Sequence, residues 1–325
     1  MEREISISAI EGIRIGQTEN AAAGTGCTVL LSEQGMAAGL DVRGGGPASR
    51  ESELLKPLAA AQFVHAVVLA GGSAFGLGAA NGVMDYLEEH GIGFDVGVTK
   101  VPLVVQSDLF DLTVGEVSVR PDAAMGYEAA KFAMEQPNYR DGNFGAGCGA
   151  TVGKLGGMET CMKSGIGSYA IELDGLQIGA VVAVNALGDI FDWKTGRKAA
   201  GLLTPEKDGF RDSVSLMKDS IRVHENRFVE NTTIGAVITN AAFEKAQLCK
   251  IAGMAHDGYA RSIRPVHTSA DGDSIYALSV GTVKADQDLV GTLAAQVMSE
   301  AILRAVLSAE SAYGFPCAKD VQSRL

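Results

Sequence analysis

The segment VENTTIGAVITNA, residues 229–241, places Asn231 and two threonines at the start of an apolar run. If the peptide bond before Thr232 is cut, Thr232 becomes an N-terminal residue with a nucleophilic hydroxyl. Its own α-amino group, which titrates at about 8, is then the base. An intact chain lacks that amine, so such an enzyme has to mature before it works. Three other interpretations stay open: a glycosylation sequon, which is idle without a secretory signal, the β-branched start of a strand, and a turn at Asn231.

A nucleophile also needs acids that orient it and donors that stabilise an oxyanion. HTSADGDSIYALS carries Asp271 and Asp273 two residues apart, a spacing that puts both side chains on one face of an extended segment. In a tight Asp-Gly turn they need not converge, and a surface turn leading into a strand is the alternative. Asn185 in VVAVNALG and Lys154 in GCGATVGKLGG are polar residues in apolar or glycine-rich surroundings. Such residues need specific partners, and they are the candidate oxyanion donors.

Two glycine-rich segments could bind a ligand. LAGGSAFGLGAANG, residues 69–82, fits neither the GxGxxG nor the GxxxxGK[ST] template, so it favours a closely packed helix start over a nucleotide site. Ser73 is its candidate cap and a candidate substrate contact. RGGGP, residues 43–47, is a glycine turn in which Arg43 is a candidate ligand for a substrate carboxylate. The scattered histidines predict no metal site, and no cofactor is predicted.

Composition excludes several classes of partner. The chain has 325 residues and a formal net charge of -12, which argues against nucleic acid and anionic membranes because both bind through Lys and Arg. No signal peptide and no uninterrupted apolar run of about 18 residues is visible. The five cysteines show no CxxC pairing and are typical of reduced thiols, so we expect a cytoplasmic protein.

Strand-like and helix-like patterns alternate along the whole chain, which predicts an α/β protein with helices covering a mixed sheet in layers. Residues 27–42 read as two strands around a turn at Gln34-Gly35, and residues 167–191 as a hairpin turning at Asp174-Gly175. Residues 203–230 are charged and polar, but the strands before and after them have to share one core. We therefore predict a single domain, 1–325, with 203–230 as a surface linker.

Six segments in order resemble the family of DmpA-type aminopeptidases, β-peptidyl aminopeptidases and nylon-oligomer hydrolases, which are self-processing N-terminal-nucleophile-like hydrolases. The segments are DVRGGGPASRESELL, VVLAGGSAFGLGAANGVM, GATVGKLGG, AVVAVNALGDIFD, NTTIGAVITNA and HTSADGDSIYALSVGT. The resemblance runs from about Ile10 to Tyr313. It implies self-cleavage between Asn231 and Thr232 into residues 1–231 and 232–325. It also implies a four-layer αββα sandwich of the DmpA and ornithine acetyltransferase type, and homotetramers of cleaved protomers.

The resemblance also implies roles for individual residues. Thr232 falls on the family nucleophile, and Asp271 and Asp273 fall on the Asp-Gly-Asp of the nylon-oligomer branch, where they would orient and activate it. Lys154 and Asn185 match positions implicated in oxyanion stabilisation and substrate placement. A family tyrosine falls in SDLFDL, where this chain has Phe110, a candidate substrate contact. This departure bears on the rate of processing and on the substrate range.

The sequence therefore predicts an N-terminal threonine amidohydrolase. Its expected substrates are short peptides, amino-acid amides or esters, and linear amino-acid oligomers. One alternative is an acyltransferase of the ornithine acetyltransferase type, which would pass the acyl group to an amine instead of water. The other is an unprocessed, non-catalytic binding protein on the same fold.

Overall fold

The computed structural model describes residues 2–219 and 231–323. The helices in these ranges are α1 (Ala79–Glu89), α2 (Ala123–Glu135), α3 (Ser213–Asp219), α4 (Lys245–Ser262), α5 (Gln287–Leu307) and α6 (Ala318–Gln322). The strands are β1 (Glu2–Ile5), β2 (Arg14–Asn20), β3 (Thr25–Val42), β4 (Ala48–Arg50), β5 (Val64–Ala70), β6 (Phe94–Asp95), β7 (Lys100–Val101), β8 (Val104–Asp108), β9 (Thr151–Val152), β10 (Met162–Lys163), β11 (Ile166–Leu173), β12 (Leu176–Asn185), β13 (Asp189–Phe191), β14 (Lys198–Ala200), β15 (Thr232–Ala241), β16 (Ile263–Arg264) and β17 (Ser274–Val283).

The long strand β3 belongs to two sheets. Its first half pairs with β2 and β5, whereas Ala37–Val42 pairs with β17. The prediction of two strands with a turn at Gln34-Gly35 is wrong: the chain runs on, and a register shift between Leu31 and Met36 marks the change of sheet. One sheet has the order β1-β11-β12-β15-β17-β3, and the other continues as β3-β5-β8-β4 with β2 beside β3. The predicted hairpin is confirmed, since β11 and β12 pair around Asp174-Gly175.

Three apolar layers hold the sheets and helices together. The inner layer joins the two sheets and contains residues such as Val181, Ile234 and Val67. A second layer packs α4 and α5 on the outer face of the first sheet, and a third packs α1 and α2 on the second sheet. The order is helix, sheet, sheet, helix, so the predicted four-layer αββα sandwich is confirmed.

Strand β15 lies in the middle of the first sheet, antiparallel to β12 and parallel to β17. Its sequence TTIGAVITNA lacks a polar-apolar alternation because both faces are covered. Ile234 and Ile238 face the layer between the sheets, while Val237 faces the helices. The strand therefore fixes its first residue, Thr232, inside the molecule.

Helix α5 is the one described helix long and apolar enough to cross a membrane, but 67% of its most apolar window is buried. It packs on α4, β11 and β12, as a core helix of a layered fold does.

Two sequence predictions need correction or completion. Gly72, with φ 83°, occupies the N-cap of the 3₁₀ turn before α1, so the assignment of Ser73 as the cap is wrong: Ser73 is the first residue of that turn. Within the predicted linker, Leu203 and Ser213 are buried, and α3 begins at Ser213. This part is anchored in the fold because Ser213 Oγ donates to Asp189 Oδ1 at 2.9 Å. Residues 220–230 of the linker lie outside the described residues.

Candidate active site

The start of β15 brings four of the predicted site residues together. In the antiparallel pair with β12, Thr232 lies opposite Asn185. On the other side, Asn231 forms a parallel bridge to Asp271, just before β17. All of them are buried, with Thr232 only 3% exposed. The sheet order thus joins residues that are far apart in the sequence.

The carbonyl of Asn231 accepts two hydrogen bonds. Thr232 Oγ1 donates to its oxygen at 2.5 Å, and the backbone N–H of Gly272 donates at 2.8 Å. The N–H of Asn231 donates in turn to Ala270 O at 3.0 Å. This peptide bond is therefore held still, with a hydroxyl nucleophile beside its carbonyl group and a backbone donor on its oxygen. Gly272 was not among the residues selected from the sequence, where its only signal is a glycine between two acids.

The two acids have separate partners. Asp273 Oδ1 accepts the N–H of Thr233 at 2.8 Å, which anchors the peptide that follows Thr232. Asp271 Oδ2 accepts the N–H and the hydroxyl of Thr268, both at 2.7 Å. Both acids are buried, so the alternative of a surface turn is wrong. Burial and the charge of Asp273 raise the pKa of Asp271 to about 6.

Lys154 and Asn185 bind each other. Lys154 Nζ donates to Asn185 Oδ1 at 2.5 Å, and the N–H of Thr151 donates to the same oxygen at 3.1 Å. Asn185 Nδ2 donates to the carbonyl oxygen of Phe110 at 2.8 Å. Burial lowers the pKa of Lys154 to about 7, so its amine exchanges between the charged and neutral forms near neutral pH.

We expect Lys154→Met to raise Tm at pH 7 by about 2 °C or more, because it removes a buried amine. The pKa of this amine is about 7 in the folded chain against 10.5 as the ordinary value. Between these values the unfolded chain binds a proton that the folded chain does not, so wild-type stability rises with pH across this window and falls as pH drops toward 7. Thermal unfolding at several pH values measures the difference between wild type and variant, which should shrink toward high pH.

The exposed Lys284 provides the control for this experiment, since Lys284→Met should leave that pH dependence unchanged. Asn185 Oδ1 keeps the N–H of Thr151 in the Lys154→Met variant, so this buried oxygen retains a donor. A Lys154→Met protein that melts below wild type at pH 7 would contradict the prediction. It would mean that the hydrogen bonds of Nζ outweigh its cost of burial.

The glycine loop at residues 43–47 packs against residues 271–273, the turn that carries the two acids, and binds it through its backbone. The N–H of Gly46 donates to Asp271 O at 2.8 Å, and a Cβ on Gly44 would lie 2.3 Å from the same oxygen, so only glycine fits there. The guanidinium of Arg43 donates to Asp41 at 3.0 Å and to Gly253 O at 2.6 Å, which directs it toward α4. The role of Arg43 toward a substrate carboxylate stays a prediction.

Phe110 and Ser73 adjoin the site through their backbones. Phe110 supplies the carbonyl that orients Asn185, and the N–H of Ser73 donates to the carbonyl oxygen of Leu109 at 2.9 Å. Their side-chain roles toward a substrate stay predictions. With Lys154, Asn185, Thr232, Asp271 and Asp273, the sequence had selected residues that the structure does bring together.

Residues 6–318 match the model of peptidase family S58. An uncharacterized aminopeptidase of Mycobacterium leprae (strain TN) is 38% identical, over 96% of this chain and 92% of the relative. A 6-aminohexanoate-oligomer endohydrolase of Paenarthrobacter ureafaciens is 29% identical, over 93% of this chain and 86% of the relative. The similarity thus extends over nearly the whole chain and includes proteins named for amide-bond hydrolysis.

Two solved structures share the fold. A β-aminopeptidase of Burkholderia sp. has a TM-score of 0.67 at 18% identity, covering 99% of this chain and 94% of that one. The l-aminopeptidase d-Ala-esterase/amidase of Ochrobactrum anthropi, described as a variant of the Ntn hydrolase fold, has a TM-score of 0.68 at 17% identity. The match covers 94% of this chain and 86% of the Ochrobactrum anthropi chain.

Proposed function

Because the chain belongs to peptidase family S58, a family of amide-bond hydrolases, we propose that it is a self-processing N-terminal threonine amidohydrolase with aminopeptidase activity. One observation carries the proposal: Thr232 Oγ1 lies 2.5 Å from the carbonyl oxygen of Asn231. Gly272 N–H donates to that oxygen at 2.8 Å. A hydroxyl in this position can attack the carbonyl of its own preceding residue.

Maturation is proposed as an N-to-O acyl shift. Thr232 Oγ1 turns from the oxygen to the carbon of the Asn231 carbonyl and forms a bond to it, and Gly272 N–H stabilises the oxyanion. The C–N bond breaks, and the hydroxyl proton ends on the Thr232 nitrogen. Water then hydrolyses the ester, which releases the Asn231 carboxylate and leaves Thr232 as a free N-terminus.

Turnover reuses the same oxygen. The new α-amino group of Thr232 takes the hydroxyl proton, and Oγ1 attacks the substrate amide to give an acyl-enzyme and a released amine. Asp273 holds the backbone of the nucleophile. Asn185, opposite Thr232 in the strand pair, and its partner Lys154 supply donors to the oxyanion. Water releases the acyl group.

We propose short amides with a free amino end as substrates: peptides, amino-acid amides or esters, and linear amino-acid oligomers. The names of the relatives support this class, and the buried acidic pair suits a substrate that carries an ammonium group. From the family resemblance we also propose that the cleaved protomers form a homotetramer. We propose that it is cytoplasmic and has no nucleic-acid or membrane partner.

The test is denaturing intact-mass analysis, followed by an assay. We expect the purified protein to split into fragments 1–231 and 232–325, and the associated fragments to hydrolyse amino-acid amides. Free-amine substrates should be cleaved at least about tenfold faster than their N-acetylated forms, because a lost charge-assisted contact costs about that much. A chain that stays intact would contradict the maturation step. Equal rates on free and acetylated amines would contradict the substrate class.

A further inference from the structure

We propose that His267 is a positioning residue of this site: its imidazole holds Asp273 in the orientation that fixes the backbone of the nucleophile. The inference rests on the proposed function of Thr232. His267 was not among the residues that the sequence selected, because no motif distinguished it from the other scattered histidines.

Three N–H groups donate to the carboxylate of Asp273. Thr233 N–H binds Oδ1 at 2.8 Å, while the N–H and Nδ1 of His267 bind Oδ2 at 3.2 and 2.9 Å. Asp273 is only 1% exposed, so the imidazole is not replaceable by bulk water. The Thr233 N–H belongs to the peptide that directly follows Thr232. The orientation of the carboxylate is therefore passed to the backbone that carries the nucleophile.

His267 has two energetically unfavourable features, a left-handed backbone and a buried ring nitrogen without a hydrogen-bond partner among the described residues. Its φ of 58° is left-handed, a conformation that favours glycine or asparagine over a larger side chain. Its Nε2 is buried and finds no hydrogen-bond partner within residues 2–219 and 231–323. Strained backbones and unsatisfied buried groups persist mainly where a function requires them. The observed contact with Asp273 is that requirement.

The His267 imidazole packs against two aromatic side chains of helix α4. The ring stacks on Tyr259 with centroids 6.0 Å apart, and it meets His256 edge-on at 4.8 Å. Burial lowers the pKa of His256, so it is neutral and its Nε2–H donates to the carbonyl of Asp41 at 3.0 Å. This packing leaves Nδ1 of His267 directed at Asp273.

The test compares His267→Asn with His267→Gly in a timed cell-free synthesis, with fragments 1–231 and 232–325 followed by intact mass. Both residues accept a left-handed backbone, but only asparagine offers an amide N–H close to the place of Nδ1–H. We expect His267→Gly to slow self-cleavage about tenfold to a hundredfold, as for a lost hydrogen bond to a charged group. We expect His267→Asn to stay within about threefold of wild type, and matured His267→Gly to lose kcat with KM unchanged.

Asp174→Gly is the matched control, because Asp174 is also left-handed, with φ 48°, but lies in the distant β11–β12 turn. It should cleave at the wild-type rate. If the wild type cleaves and His267→Gly cleaves equally fast, the role of His267 is overturned while the proposed function of Thr232 stands. Equal slowing in the Asn and Gly variants would also overturn it, since the ring would then act only by packing. A wild-type chain that stays intact would overturn the proposed function and the inference together.

Discussion

Thr232→Ala is expected to remain a single chain of 325 residues, with no fragment visible by denaturing intact mass after days of incubation. The substitution removes the hydroxyl that lies 2.5 Å from the Asn231 carbonyl oxygen, and it leaves the Gly272 donor in place. Without the nucleophile neither the ester nor the free α-amino group forms. Self-cleavage and amide hydrolysis should therefore both fall by about 10⁴-fold or more.

Thr232→Ser provides the control for this prediction. Serine keeps the hydroxyl but loses the methyl group that restricts χ1 of threonine, so we expect cleavage to continue at a rate about tenfold lower. Fragments split at the same bond in Thr232→Ala would show that another group makes the attack. Full amide hydrolysis by an uncut Thr232→Ala chain would contradict the N-terminal nucleophile itself.

Gly272→Ala is expected to slow self-cleavage about a hundredfold while the protein stays folded, because small displacements of reacting atoms are costly. A Cβ on Gly272 would lie 2.7 Å from Thr232 Oγ1 and 2.9 Å from the carbonyl oxygen of Gly46. The hydroxyl has to move away from the Asn231 carbonyl, or the turn has to move away from it. Either change breaks the pair of donors on that oxygen. The same mass time course measures the effect, with Tm as a check on folding.

Alanine substitutions at two other glycines serve as controls. They show whether the slower cleavage of Gly272→Ala comes from its clash or from replacing a glycine by alanine in general. A Cβ on Gly46 would have its nearest neighbour at 3.9 Å, and one on Gly78 would meet nothing within 4 Å. Gly46→Ala and Gly78→Ala should thus cleave within about threefold of wild type, as substitutions without a clash usually do. A Gly272→Ala protein that cleaves as fast as these two would show that the Gly272 turn does not take part in maturation.

Much of the site could be predicted because its chemistry depends on residue types in unusual surroundings. Thr232 opens an apolar strand, the two acids flank a glycine, and Lys154 and Asn185 are polar residues in apolar or glycine-rich segments. Burying such groups is unfavourable unless they have partners, so their presence alone indicated a site. Likewise, the alternation of strand and helix patterns, together with the resemblance in six segments, predicted the layered fold.

Only the tertiary structure decided which atoms meet. The Gly272 donor and the His267 contact depend on a backbone N–H and on a left-handed backbone, neither of which any side-chain pattern reveals. Arg43 is a candidate carboxylate ligand by type, and only the structure shows that its guanidinium binds Asp41 and the carbonyl oxygen of Gly253 in α4. The passage of β3 through two sheets follows from pairing with distant strands. The sequence by itself determined which groups needed partners, whereas strand register, set by burial across three apolar layers, determined which partners they found.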